Sequence, residues 1–141
     1  MPHRAIDIMT RNPVALRSDA TVADAVEVLQ TLDVRHLPVI DEERAVVGVL
    51  SERDLRSLTI PRIVDEQWLG NLRTALRSKV VEVMSTDVVT VDQETPVSEI
   101  IDLLLEYKIG AIPVLDADGT LAGIVSYIDV LRGLYELEER E

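Results

Sequence analysis

The sequence predicts an α/β (α+β) protein built as two copies of one unit, each running strand, helix, strand, strand, helix. Three observations predict it. First, the chain repeats itself without gaps: Met9, Val14, Val22, Leu29, Pro38, Val39, Asp41, Gly48, Ser51 and Asp54 recur 75 residues later as Met84, Val89, Val97, Leu104, Pro113, Val114, Asp116, Gly123, Ser126 and Asp129. Self-similarity at a fixed offset marks a duplicated structural unit. Second, short apolar runs of strand length alternate with stretches of helical period in both copies. Third, 47% of the 141 residues are hydrophobic, enough to bury a core that must be aliphatic because phenylalanine is absent.

In chain order, residues 14–17 and 88–91 read as short opening strands. A helix follows in each copy. Thr21 stands three residues before Asp24, the spacing of a capping box, and Thr95 precedes Pro96, with proline favoured at the first helical position. Val22, Ala25, Val26 and Leu29 then form one apolar stripe, and Val97, Ile100, Ile101 and Leu104 form its counterpart. Strands follow at 36–40 and 111–115. They contain Pro38 and Pro113, which places them at a sheet edge or a bulge; the same prolines could leave neighbouring backbone groups free to meet a flat ring, and the sequence leaves both readings open. Asp116-Ala117-Asp118-Gly119 is a hairpin signal between apolar runs, matched by Asp41-Glu42-Glu43-Arg44. Next come buried strands at 46–50 and 121–125, interrupted by Gly48 and Gly123. Glycine inside a strand marks a place where a ligand or another backbone comes close. Helices at 52–58 and 127–136 close the copies. Between them, residues 65–78 carry Trp68, Leu69, Leu72 and Leu76 at helical spacing, with Gly70 weakening the helix by roughly 1 kcal/mol. Trp68 reads as a packing residue. The chain thus divides into 5–57, a linker 58–79, 80–136, and an acidic end 137–141 expected as a solvated helix end or tail.

The net charge of −12, from 26 acidic and 14 basic residues, argues against a nucleic-acid partner and against an anionic membrane surface. Cysteine is absent, which excludes disulfides and thiol chemistry. Residues Met1 to Thr10 lack the apolar core of a signal peptide, and no apolar run reaches bilayer length, so a cytoplasmic location is expected. The chain has no P-loop, two histidines (His3 and His36) and no metal-ligand spacing. Neither catalysis nor a metal site is expected.

The doubled string Gly-x-x-Ser-x-x-Asp carries the candidate chemistry. Ser51 and Ser126 fall where a strand ends and a helix begins, a favoured N-cap position. Asp54 and Asp129 fall in the first helical turn, where a carboxylate suits the helix dipole. The local reading is a serine-capped helix with an acidic first turn. The functional reading is a ligand site built twice, and the recurrence together with the glycine is what raises it.

His-Leu-Pro-Val (36–39) and Ala-Ile-Pro-Val (111–114), each followed by its Gly-x-x-Ser-x-x-Asp string, resemble a CBS-domain pair, or Bateman module, over residues 5–57 and 80–136. The resemblance implies a tandem pair with pseudo-two-fold symmetry and two clefts between the motifs. It implies a non-catalytic regulatory module that binds AMP, ADP, ATP or S-adenosylmethionine, forms a homodimer and passes its state to a partner. By the same resemblance, Asp54 and Asp129 take ribose hydroxyls, as suits an acceptor-only carboxylate. Ser51 and Ser126 meet phosphate at a helix N-terminus. Adenine lies near Pro13-Val14 or Val88-Val89, its other face on His36-Leu37 before Pro38, or on Ala111-Ile112 before Pro113. Gly110-Ala111-Ile112 leaves more room than Arg35-His36-Leu37, so the second cleft is expected to hold adenine better, with Arg53, Arg35 or Arg11 supplying cations to phosphates in the first. His36 is expected to be a hydrogen-bonded structural residue rather than a pH switch. The ligand reading requires Asp54 and Asp129 to face a cleft rather than be spent on their own backbone; the alternative is a ligand-free oligomerisation module.

Overall fold

The computed structural model describes residues 3–32, 34–58 and 64–140. Its elements are Ala5–Ile8 (α1), Thr10–Arg11 (β1), Leu16–Arg17 (β2), Val22–Leu32 (α2), His36–Ile40 (β3), Val46–Ser51 (β4), Glu66–Arg77 (α3), Val91–Asp92 (β5), Val97–Tyr107 (α4), Ala111–Leu115 (β6), Leu121–Ser126 (β7) and Tyr127–Arg140 (α5), with 3₁₀ turns at Glu52–Leu58 and Val80–Glu82. The expected alternation is present in both copies. The second opening strand begins at Val91 rather than at 88, and the last helix of the first copy is a 3₁₀ turn where the second has an α-helix. The segment α1–β1 and the turn at Val80–Glu82 were not expected from the sequence. Part of the linker, 59–63, and the terminal Glu141 lie outside the described residues.

The spatial units do not follow the repeat. One compact unit contains residues up to Val14, Glu43–Val46 and Val88 onward; the other contains Ala15–Glu42 and Val47–Asp87. Each copy therefore takes its opening segment from the other. In the first unit the strand order is β1-β7-β6-β5. β1 runs antiparallel to β7, with Thr10 opposite Ile124 and Arg11 opposite Gly123. α1 is tied down by Ala5 N–H to the Thr95 carbonyl (2.8 Å) and Ile6 N–H to the Gln93 carbonyl (3.0 Å). The core is Ala5, Val91, Ile100, Leu104, Ile112, Val114, Val125 and Val130. In the second unit the order is β2-β3-β4. Here Val49 and Ser85 exchange both backbone hydrogen bonds, at 3.1 and 3.0 Å, and Val80 enters the core with Leu16, Ala25, Leu37, Val39 and Leu50. Residues 80–85 thus do for β4 what β1 does for β7.

The two strand glycines explain this exchange. A β-carbon on Gly48 would lie 2.8 Å from Met84 Cε and overlap its sulfur; one on Gly123 would lie 2.5 Å from Met9 Sδ and 2.9 Å from the Thr10 carbonyl oxygen. The close approach that the sequence signals is made by a methionine of the exchanged segment, with main chain added at Gly123. Met9 and Met84 are themselves 75 residues apart, so the seat is duplicated with its occupant.

The prolines sit in central strands, not at a sheet edge: β3 lies between β2 and β4, and β6 between β5 and β7. The flanking parallel strands are only two residues long. Leu16 pairs with Val39 and Val91 with Val114, so each ladder starts one residue after the proline. Pro38 and Pro113 therefore have an open side locally, where a missing N–H leaves no ladder bond unmade.

The second hairpin forms as read. Asp116 Oδ1 accepts from Asp118 N–H (2.9 Å) and Thr120 N–H (3.1 Å), Oδ2 accepts from the Thr120 hydroxyl (2.7 Å), and Gly119 adopts φ +80°. At the matching position of the first copy, Arg44 adopts φ +66°. Thr21 and Asp24 make the predicted capping box, at 2.9 and 3.2 Å. Asp65 caps α3 by accepting from Trp68 N–H (2.8 Å), and Trp68 is half-buried.

Three glycine substitutions test the packing. Gly123→Ala is expected to destabilise by about 1–3 kcal/mol, the usual cost of overpacking. Gly48→Ala is expected to cost less, because it meets only a flexible side chain. Gly70→Ala, with nothing within 4 Å of its added carbon, is expected to stabilise by up to about 1 kcal/mol through helix propensity. Thermal unfolding of the three variants gives the order.

Candidate functional site

β7 hands over to α5 at Ser126, and the turn is closed by a reciprocal cap. Ser126 N–H donates to Asp129 Oδ2 (3.0 Å), the Ser126 hydroxyl to the same oxygen (3.1 Å), and Asp129 N–H to Ser126 Oγ (3.4 Å). Asp129 Oδ1 accepts from the Thr10 hydroxyl (3.2 Å) and pairs with Arg132 Nη1 (3.3 Å). At 6% exposure it is the one buried charged side chain among the described residues. The equivalent turn of the first copy is barer. Ser51 N–H donates to Asp54 Oδ2 (2.8 Å) and Asp54 N–H to Ser51 Oγ (3.3 Å); Asp54 is half-buried, and its Oδ1 has no partner among the described residues.

Both carboxylates therefore carry the local capping role, and neither is wholly spent on it. The cap uses one oxygen of each carboxylate. What differs is the other oxygen: in the second copy Thr10 and Arg132 hold it, and in the first it is open.

The expected adenine walls are mostly core. Leu37, Pro38, Ile112 and Pro113 are fully buried, and Ala111 is 6% exposed, opposite Ser126 in the ladder. Their side chains pack inward, so a ring could meet these strands only through backbone. Val88 and Pro13 are half-buried, and Arg11, Arg35 and Arg53 are exposed. His36 is half-buried, and its ring has no hydrogen-bond partner among the described residues, contrary to the structural bond expected of it. Its pKa is held below 6.5 by burial first, then by Arg35, against the opposing pull of Asp54. Glu52 N–H to the Arg35 carbonyl (2.9 Å) keeps this polar group at one end of β3 and β4.

Two features were missed. Thr10 completes the Asp129 cluster, and a signal existed: its repeat partner is Ser85, a second hydroxyl directly after a repeated methionine. The other is a cleft of about 620 Å³ in the first unit, lined among others by Arg11, Asn12, Pro13, Arg44, Asp116 and Thr120. It joins segments about 30 and 70 residues apart, which no local pattern reveals. Among the described residues, no group of three or more His, Asp or Glu side chains could hold a metal ion.

The His36 shift fixes a pH dependence. A depressed folded pKa means that its contribution to stability is complete above the unfolded value, about 6.5. It is lost as pH falls from there through the folded pKa, because the unfolded chain takes up the proton first. The melting temperature is expected to decline over that window, and His36→Gln is expected to flatten the decline. A slope unchanged in the variant contradicts the assignment.

The chain resembles known proteins along nearly its full length. The family model for the CBS domain matches residues 5–60 and 80–136. A CBS domain-containing protein of Dictyostelium discoideum is 30% identical over 132 residues, covering 94% of this chain and 91% of that one. Inosine-5'-monophosphate dehydrogenase of Methanocaldococcus jannaschii is 26% identical over 129 residues, covering 92% of this chain but only 23% of the enzyme. The structure of CBSX2 of Arabidopsis thaliana in complex with AMP aligns with a TM-score of 0.79 at 33% identity, covering 96% of this chain and 98% of that one. No helix among the described residues is long and apolar enough to cross a membrane. With two matches that together take in most of its length, the chain belongs to the CBS-domain family and carries two CBS domains in tandem.

Proposed function

We propose that the chain is a non-catalytic regulatory module that binds an adenosine-containing ligand (AMP, ADP, ATP or S-adenosylmethionine) and passes the bound state to a partner. The observation that carries this reading is the likeness over 96% of the chain to CBSX2, whose structure holds AMP. The doubled Ser-x-x-Asp turn supports it, since Asp54 keeps an open carboxylate oxygen for a ribose hydroxyl. Ser51 and Ser126 then face phosphate with their hydroxyls, helped in the first copy by Arg53. Adenine meets the backbone of His36-Leu37 in the first copy, or that of Ala111-Ile112 and the edge of Val88 in the second. A non-catalytic role suits a region that forms 23% of its dehydrogenase relative.

Side-chain size ranks the second copy as the better adenine site. Acceptor capacity ranks them the other way, and we follow it, because a sugar at Asp129 must first displace Thr10 or Arg132. Two carboxylates committed to caps favour the second reading, an assembly module without ligand. The exposed stripe Tyr127, Ile128, Leu131 and Tyr135 on α5, 44–64% exposed, fits a homodimer contact under either reading.

Calorimetric titration with AMP, ATP and S-adenosylmethionine tests the ligand. At least one is expected to bind and to raise the melting temperature. Asp54→Ala is expected to lose binding with little loss of stability. Asp129→Ala is expected to lose about 1–3 kcal/mol of stability, the cost of leaving buried donors unpaired. No binding of any of the three at millimolar concentration leaves the assembly reading. For the dimer, light scattering is expected to report two chains for the parent and one for Leu131→Glu.

A further inference from the structure

The cleft of the first unit lies away from the Ser-x-x-Asp turn. It opens at the hairpin end of β7, beside Asp116, Thr120 and Ala122, whereas Ser126 and Asp129 lie at the other end of that strand, ~17 Å along it at about 3.4 Å per residue. We infer that this cleft binds a phosphoryl group through the guanidinium groups of Arg11 and Arg44.

Charge is the first ground. In a chain of net charge −12, the cleft brings together two guanidinium groups and one carboxylate. That carboxylate, Asp116, has both oxygens taken by the Asp118 and Thr120 donors of its own turn. These bonds first, and the charge of Arg44 last, hold its pKa below the usual value, and it forms no ion pair among the described residues. Arg44 makes one side-chain bond, from Nη2 to the Leu121 carbonyl at 3.3 Å. Arg11 makes none. Two guanidinium groups that line one cleft and make no ion pair among the described residues suit phosphate, which such groups can engage bidentately.

Backbone geometry is the second ground. Arg44 adopts φ +66° where its repeat partner is Gly119 at φ +80°. A side chain there costs roughly 1–2 kcal/mol that glycine does not pay. Asn12, next to Arg11, is also left-handed, at φ +48°. Both segments are pinned to the start of β7: Leu121 N–H donates to the Arg44 carbonyl (3.2 Å), and Asn12 N–H to the Ala122 carbonyl (3.3 Å). The two arginines therefore issue from anchored backbone on neighbouring residues of one strand. A cleft of about 620 Å³ is within the range that holds small molecules.

The proposed nucleotide has its phosphate at Ser51 or Ser126, so the phosphoryl group in this cleft belongs to a second, phosphorylated metabolite. Inorganic pyrophosphate is titrated by calorimetry at constant ionic strength, beside adenosine and AMP. The parent chain is expected to bind pyrophosphate, Arg44→Gly and Arg11→Gln to weaken it at least tenfold each, and Arg73→Gln, exposed on α3, to leave it unchanged. Arg44→Gly is expected to fold with an equal or higher melting temperature, since it removes the strained side chain. AMP affinity unchanged by Arg44→Gly while pyrophosphate is lost assigns the group to a separate metabolite and upholds the site; AMP weakened together with pyrophosphate overturns it. Pyrophosphate that fails to bind the parent, or binds Arg44→Gly as well as the parent, overturns it. Failure of adenosine and AMP to bind while pyrophosphate does sinks the adenosine reading alone.

Discussion

Each unit closes where a methionine lies on a strand glycine. Met9 sits on Gly123 and Met84 on Gly48, with no room for a β-carbon between them. A strand glycine is ordinarily a weakness, costing entropy and packing nothing. Here the missing side chain lets the opening segment of the other copy come in close. β1 adds to β7, residues 80–85 add to β4, and Val80 and Ala5 enter cores that neither copy could complete from its own sequence. The duplication is thus mutual at the level of packing. Neither half of the sequence contains a whole unit.

The same constraint sets the chemistry of the two Ser-x-x-Asp turns. Because β1 lies on β7, Thr10 reaches Asp129, and the regular α-helix that follows brings Arg132 round to the same oxygen. The first copy continues into a 3₁₀ turn instead, and Asp54 keeps an oxygen without a partner. One string of residues thereby yields a buried, saturated carboxylate and a half-buried, open one. Burial has a different meaning in each. Asp129 is tolerated inside because every lone pair it turns inward has a donor, and Asp54 keeps its capacity because solvent reaches it.

Much of this was legible in the residues. The ungapped repeat, the apolar stripes of α2 and α4, the Thr21–Asp24 box and the Asp116–Gly119 hairpin all rest on interactions within a few residues, and local spacing reports such interactions directly. The strand prolines were read as marking a sheet edge or a bulge, or as freeing backbone groups for a flat ring, whereas β3 and β6 are central strands in which the prolines find an open side. The open side comes from the shortness of β2 and β5, and strand length is decided by what a strand pairs with. The glycines were read correctly as points of close approach, but what approaches stands more than thirty residues away at Gly48 and more than a hundred at Gly123.

The sequence by itself determined the tandem α/β unit, its element order and the residue types at each turn, because periodicity, capping and turn chemistry act over short separations. The tertiary structure alone decided which opening segment completes which sheet, which aspartate is saturated, and that Arg11 and Arg44 share a cleft. Those outcomes depend on contacts between distant segments, and a contact at long separation leaves its mark on two places at once without marking either as a partner of the other.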